Sequence, residues 1–246
     1  MKCIITTCLC IILSFFYCTK ETETSSSLIK FSEVYAGGDH ICVDTGYSIG
    51  EKLTLINLSD GSLVSAKVEK ETQYQEPEVG LNFPTMIILP EKSINLDKDK
   101  FISINYSPRK IETIQNNFEN IKVSETGIPD SIIIKATSRN VGCSTFEENG
   151  LDSNSIRKMK ISEKCDLVES NINNVGDGPR FLKFEELSYI LNAPCSYKNL
   201  FVFKMDGDLY LYSGSHGCLC GATGIELHKI SSGEIELIYH SWKWSL

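Results

Sequence analysis

The chain has 246 residues, and its 32 acidic residues outnumber its 24 basic residues, which gives a formal net charge of −8. At about 100–200 residues per domain, this length corresponds to one large domain or two small ones. The acidic balance argues against nucleic-acid binding, which needs clustered lysine and arginine to displace counterions from phosphates. We therefore expect a globular protein with no nucleic-acid partner.

The N-terminus has the pattern of an export signal. Lys2 is followed by uncharged and mostly apolar residues from Cys3 to Tyr17. This run is shorter than the roughly 20 helical residues that span a hydrocarbon core, and it fits the apolar region of a signal peptide. We predict that residues 1–17 are a signal peptide and that the chain is exported. An uncleaved N-terminal membrane anchor is the alternative.

The apolar run ends at Cys18, and the polar stretch from Thr19 to Ser27 follows it. This arrangement resembles a bacterial lipoprotein signal in the relaxed form found among spirochaetes, with Phe15–Tyr17 at the usual lipobox positions before the cysteine. The resemblance implies cleavage before Cys18, acyl chains such as palmitate on its sulfur, and a lipid-anchored tether over residues 18–27. The protein would then lie outside the cytoplasm, in the bacterial envelope. Ordinary secretion, with Cys18 removed or paired, is the alternative.

With the signal removed and Cys18 acylated, an even number of cysteines remains. An even count in an exported protein predicts disulfide bonds. The alternating His216, Cys218 and Cys220 also suit zinc or copper, but we favour disulfides and expect neither a metal nor a cofactor. The disulfide candidates are Cys42, Cys143, Cys165, Cys195, Cys218 and Cys220.

Residues 28–142 have the alternating apolar pattern of short β-strands separated by turns. The alternation occurs at 53–55, 64–68, 102–106 and 121–123, with a turn at 57–61. We predict an antiparallel β-sandwich. A helix over residues 111–121 is the competing interpretation, because Ile111, Ile114, Phe118 and Ile121 have helical spacing.

This order of elements resembles the immunoglobulin-like domain of the Hydin and abnormal-spindle type. The resemblance rests on a strand that ends in an Asn-rich turn (Leu53 to Gly61), on the stretch from Leu89 to Pro108, and on closing strands at Phe118 to Val123 and Ser131 to Thr137. The segments Ala36 to Gly50 and Thr72 to Pro84 depart from the family pattern. The resemblance implies an immunoglobulin-like sandwich without catalytic residues, which binds another protein or acts as a spacer.

Residues 143–246 have a different pattern. We predict helices over 153–170 and 184–193, followed by a hairpin over 199–215 that turns at Asp206-Gly207 and a second hairpin over 224–245 that turns at Ser231–Gly233. The segment is therefore expected to form a small, disulfide-stabilised α+β domain. Trp242 and Trp244 share one face of the last strand and form a possible binding platform if exposed, although we favour their burial.

These patterns together predict a mainly β, lipid-anchored, extracytoplasmic binding protein of the bacterial envelope that is not an enzyme. Its expected partners are the membrane, through the lipid, and another protein. Two alternatives remain open: an envelope enzyme with its site in residues 143–246, and a structural spacer without a ligand. The enzyme alternative predicts a cleft with a shifted pKa, for instance around His216 or His228.

Overall fold

The computed structural model describes residues 29–75, 82–133, 156–170, 180–184, 187–191, 197–215, 222–231 and 234–244. The described residues form sixteen strands, and their helical structure is limited to a short 3-10 helix at Val123–Glu125 and one helical turn at residues 130–133. The expectation of a mainly β protein is confirmed. Within these ranges, no helix has the length and apolar character needed to cross a membrane.

The first six strands form a closed antiparallel barrel in the order β1-β2-β5-β4-β3-β6. The barrel closes because β1 pairs with both β2 and β6. Every strand of the barrel therefore has a partner on each side, whereas the expected sandwich would have open edge strands. Apolar residues of the predicted alternating strands, including Leu53, Leu55 and Val68, fill the barrel interior. The strands are β1 (Phe31–Gly37), β2 (His40–Asp44), β3 (Lys52–Asn57), β4 (Leu63–Gln75), β5 (Asn82–Pro90) and β6 (Phe101–Ile104).

The other ten strands form two five-stranded antiparallel sheets. We name the sheet β16-β15-β14-β13-β7 the inner sheet and the sheet β12-β11-β10-β9-β8 the outer sheet. The inner sheet comprises β7 (Ile111–Ile114), β13 (Tyr197–Met205), β14 (Asp208–Ser215), β15 (Ala222–Ser231) and β16 (Glu234–Trp244). The outer sheet comprises β8 (Glu119–Ile121), β9 (Ile156–Ser162), β10 (Cys165–Ser170), β11 (Arg180–Phe184) and β12 (Ser188–Leu191).

Strands from both sides of the expected boundary at residue 142 share these sheets. β7 pairs with β13, and β8 pairs with β9. The helix alternative for residues 111–121 is therefore wrong. Both predicted hairpins of the C-terminal segment are confirmed as β13–β14 and β15–β16, and Asp206 and Gly207 both have positive φ at the first turn, as a type I′ turn requires.

The helices predicted over 153–170 and 184–193 are wrong, and the α+β description of this segment is therefore not supported. Residues 156–162 and 165–170 form the β9–β10 hairpin, and β12 occupies 188–191. The β9–β10 hairpin has buried residues on both faces: Ile156 packs on one side, while Met159 and Leu167 pack on the other. A strand buried on both faces loses the two-residue alternation, and its apolar spacing then resembles that of a helix.

The inner sheet is the middle layer of the molecule. Along β13 and β14, Val202 and Leu211 face the outer sheet, whereas Phe203 and Tyr212 face the barrel. On the far side of the outer sheet, Ile128 and Ile133 form a separate small core with Phe181 and its neighbours. Residues 130–133 are helical, so the strand predicted over 131–137 does not begin at Ser131, and residues 134–137 lie outside the described part.

The described part of the chain contains no disulfide bond, so the disulfide-stabilised domain finds no support there. Cys42 is buried on the barrel, and Cys165 is a free thiol that packs among leucines between the two sheets. Burial raises the pKa of Cys165 to about 12, which keeps it protonated at neutral pH. Cys18 and the disulfide candidates Cys143, Cys195, Cys218 and Cys220 lie outside the described residues.

Candidate functional site

A long hairpin creates a cleft on the outer face of the barrel. Only residues 63–67 of β4 pair with β3, whereas the pairing of β4 with β5 continues to Gln75 and Asn82. The register shifts between Val68 and Lys70, and such a bulge bends a hairpin. The extended part contacts the β1–β2 hairpin, and the ring centroids of Tyr35 and Tyr74 lie 5.6 Å apart.

We name this space the hairpin cleft. Its volume is about 440 Å³, within the range of small-molecule sites. It is lined by Ala36, Gly37, Gly38, His40, Cys42, Thr72, Gln73, Tyr74, Gln75 and Thr85. None of these described lining residues is an aspartate, glutamate, lysine or arginine, so the cleft offers hydrogen bonds and an aromatic face rather than formal charge.

Two glycines shape one side of the cleft. A Cβ atom on Gly37 would lie 2.6 Å from the sulfur of Cys42 and 3.4 Å from Cδ2 of Tyr74. Gly38 is the first of two residues that connect β1 to β2, and its φ of 64° suits the turn that glycine favours at this position. The close approach of Tyr74 therefore depends on the absence of a side chain at position 37.

Tyr35 is held in place by hydrogen bonds beneath the cleft. The Thr85 hydroxyl donates to the Val43 carbonyl at 2.7 Å, so the Tyr35 hydroxyl donates to Thr85 Oγ1. Burial raises the pKa of Tyr35 well above its usual value of 10.0. The Tyr35 ring is thus a fixed, neutral wall against which Tyr74 packs.

A second polar group is buried between the two sheets. Glu226 and His228 lie on β15, on the opposite face from Leu227, and Glu226 Oε2 is 3.7 Å from His228 Nε2. Burial raises the pKa of Glu226 to about 7 and lowers that of His228 to about 4. Ser213 pairs with Glu226 across β14, and its hydroxyl is buried without a hydrogen bond among the described residues.

An ion-pair network lies on the facing side of the outer sheet. Glu169 accepts hydrogen bonds from Arg180 Nε at 2.6 Å and from Arg157 Nη2. The side chains of Glu169 and Arg180 are 3% and 5% exposed, so both charges are almost fully removed from water. We name these residues together with Ser213, Glu226 and His228 the inter-sheet polar layer.

A tyrosine joins the inner sheet to the barrel. The Tyr239 hydroxyl donates a hydrogen bond to the Asp44 carboxylate and accepts one from the Glu33 amide at 3.0 Å. Burial and the neighbouring Asp44 raise the pKa of Tyr239 far above 10.0, so the hydroxyl stays protonated. These bonds connect β16 to β1 and β2, the strands that carry the cleft.

The pentapeptide Gly46 to Gly50 has the Gly-x-Ser-x-Gly spacing of a hydrolase nucleophile elbow. That motif needs a strand–turn–helix context. Here it lies between β2 and β3, and the Ser48 amide donates to the Glu51 carboxylate at 2.7 Å within a local turn. The structural context of a nucleophile elbow is therefore missing at Ser48.

Of the sequence-predicted site residues, Cys42 lines the cleft and Cys165 lies between the two sheets, while the side chains of the other cysteine and tryptophan candidates lie outside the described part. The backbone of β16 places Trp242 opposite Gly224 and Trp244 opposite Ala222, but the two indole side chains lie outside the described part. Among the described residues, no group of three or more His, Cys, Asp or Glu side chains is arranged to hold a metal ion.

The cleft was not predicted, although two signals pointed to its segments. Gly37 and Gly38 interrupt an alternating run, and the segments Ala36 to Gly50 and Thr72 to Pro84 depart from the immunoglobulin-like pattern. These two irregular segments are the ones that meet at the cleft. Comparison of the chain with protein families, curated proteins and solved structures found no match, so the cleft is identified from its geometry.

Proposed function

We propose that this chain is a lipid-anchored, non-enzymatic binding protein of the bacterial envelope that holds its ligand in the hairpin cleft. The observation that carries the proposal is the cleft itself, a space of about 440 Å³ between two hairpins, bordered by aromatic and uncharged polar side chains. Binding needs shape and hydrogen-bonding groups, and the cleft has both.

The sequence supports the anchored position. The apolar run ends at Cys18, and the polar residues 19–27 lead into β1 of the barrel. Two or three acyl chains on Cys18 would hold the protein on a bilayer, because each buried methylene contributes about 0.8 kcal/mol. The tether would then present the barrel as the first folded part beyond the membrane.

A second candidate is an envelope enzyme that uses Glu226 and His228, and the shifted pKa values of this pair favour it. However, the two side chains are only 8% and 9% exposed and lie between packed sheets rather than in the hairpin cleft. Almost no surface of either side chain is open to a substrate in the described packing. We therefore favour a structural role for the pair.

Two measurements test the proposal. Metabolic labelling with palmitate and membrane fractionation should show label on the wild type, while Cys18→Ser should lose both label and membrane association. The acylated full chain, held in a detergent without a sugar headgroup, should then be screened by thermal shift against uncharged, anionic and cationic small molecules. At least one compound should raise the Tm of the wild type.

The cleft is assigned by two matched variants. Gln73 is exposed and lines the cleft, so Gln73→Trp fills the space and should abolish the thermal shift. Gln115 is exposed and does not line the cleft, so Gln115→Trp should keep it. Failure of every compound, or equal shifts in Gln73→Trp and the wild type, would overturn the binding function. Membrane association of Cys18→Ser equal to the wild type would overturn the lipid anchor.

A further inference from the structure

The described lining of the hairpin cleft favours an uncharged ligand. The chain carries a formal net charge of −8, which opposes the approach of an anion. The described lining residues include no aspartate or glutamate to pair with a cation and no lysine or arginine to pair with an anion. Among these residues, a formally charged ligand therefore finds no ionic partner.

The side chains of the cleft suit a ligand with both apolar and hydroxylated surfaces. Thr72, Gln73 and His40 supply hydroxyl, amide and imidazole groups, which together donate and accept hydrogen bonds. Tyr74 supplies an aromatic ring, and its plane is tilted 58° from that of Tyr35. Sugar rings combine an apolar C–H face, which packs on an aromatic ring, with a rim of hydroxyl groups that need such partners.

The aromatic surface is also fixed before a ligand arrives. Tyr35 is hydrogen-bonded to Thr85, which is fully buried, and Tyr74 lies in contact distance of the space above Gly37. A ligand that packs on a fixed ring loses less conformational entropy on binding than one that must order it. The cleft is therefore organised for a flat, rigid ligand.

We propose that the hairpin cleft binds a short neutral saccharide, with the sugar's C–H face on Tyr74 and its hydroxyl groups hydrogen-bonded to Thr72, Gln73 and His40. This inference rests on the proposed binding function and names the class of its ligand.

The test is calorimetric titration of the full chain with glucose, galactose, mannose and N-acetylglucosamine and with disaccharides of each. Glucuronate serves as a charged probe of similar shape. We expect at least one neutral sugar to bind and glucuronate to bind at least tenfold more weakly. Tyr74→Ala should weaken binding by about tenfold, whereas Tyr74→Phe should retain it because the ring remains.

The outcomes separate this inference from the proposed function. If a compound that is not a sugar binds the wild type and is lost in Gln73→Trp, the cleft is a binding site and the saccharide assignment is wrong. If no compound of any class is lost in Gln73→Trp, both proposals fail. A sugar that binds Tyr74→Ala or Gln73→Trp as tightly as the wild type also overturns the assignment, and so does glucuronate binding as tightly as the neutral sugar.

Discussion

The hairpin cleft and the inter-sheet polar layer differ in how their polar groups are satisfied. The cleft has uncharged side chains that reach solvent, and its shape depends on glycine and on a bent hairpin. In the inter-sheet layer, Glu169, Arg180, Glu226 and His228 are buried and only Arg157 is partly exposed, and several atoms of the layer lack hydrogen-bond partners among the described residues. In this molecule, the shifted pKa values of Glu226 and His228 report burial between sheets, whereas the described lining of the cleft contains no aspartate, glutamate, lysine or arginine.

The largest expected effect comes from breaking the ion-pair network. Glu169→Gln removes the carboxylate to which buried Arg180 donates, and removal of one partner of a buried pair costs about 3–5 kcal/mol. Glu119→Gln is the matched control, because Glu119 is 69% exposed in its pair with Lys158 and should change the free energy of unfolding by less than about 1 kcal/mol. Urea denaturation measures both, and equal small effects would mean that the inter-sheet layer does not carry stability.

The next effect is a pH dependence with opposite signs at two neighbouring residues. Folded Glu226 keeps its proton up to about pH 7, against 4.5 for an ordinary glutamate, so its contribution to stability is full below pH 4.5 and is lost as pH rises towards 7. Folded His228 has a pKa of about 4, against 6.5, so its contribution is full above pH 6.5 and is lost as pH falls towards 4. Between pH 4.5 and 6.5 the two effects oppose each other.

Single variants should separate the two opposing pH dependences of the free energy of unfolding. Relative to the wild type, Glu226→Gln should gain stability as pH rises from 4.5 to 7, by up to about 3 kcal/mol. His228→Gln should gain stability relative to the wild type as pH falls from 6.5 to 4, by a similar amount. Urea unfolding at half-unit pH steps measures both differences. Differences that do not vary with pH would show that neither group is buried in its neutral form.

A smaller effect tests the shape of the cleft. Gly37→Ala places a methyl group 2.6 Å from the Cys42 sulfur, and overpacking of this kind costs about 1–3 kcal/mol. In a Cys42→Ala background the same change should cost clearly less, because the sulfur that it meets is absent. A double-mutant cycle measures this coupling. Equal costs in both backgrounds would mean that Gly37 is not constrained by the close approach.

The sequence predicted the regions where one face of a strand is buried and a turn is marked by its residues. The β3–β4 hairpin with its turn at Asn57 to Gly61 and the hairpin with its turn at Asp206-Gly207 belong to this class. It failed at β9 and β10, where burial on both faces removes the alternation and imitates helical spacing. The cleft could not be predicted from the sequence. Tyr35 and Tyr74 come together where the bulge between Val68 and Lys70 bends the hairpin, and no local sequence pattern gives the direction of that bend.

The smallest predicted effect concerns the Tyr239 hydrogen bonds that connect the inner sheet to the barrel strands of the cleft. Tyr239→Phe removes the hydrogen bond to Asp44 and the one from the Glu33 amide, which should lower the free energy of unfolding by about 1–2 kcal/mol. Because Glu33 and Asp44 lie on β1 and β2, the strands that line the cleft, hydrogen exchange of β1 and β2 amides should increase more than that of β9 and β10 amides. Tyr189→Phe is the control, since Tyr189 packs at the outer sheet. Uniform acceleration in both regions would show that Tyr239 stabilises the molecule as a whole, and that cleft and inter-sheet layer unfold as one unit.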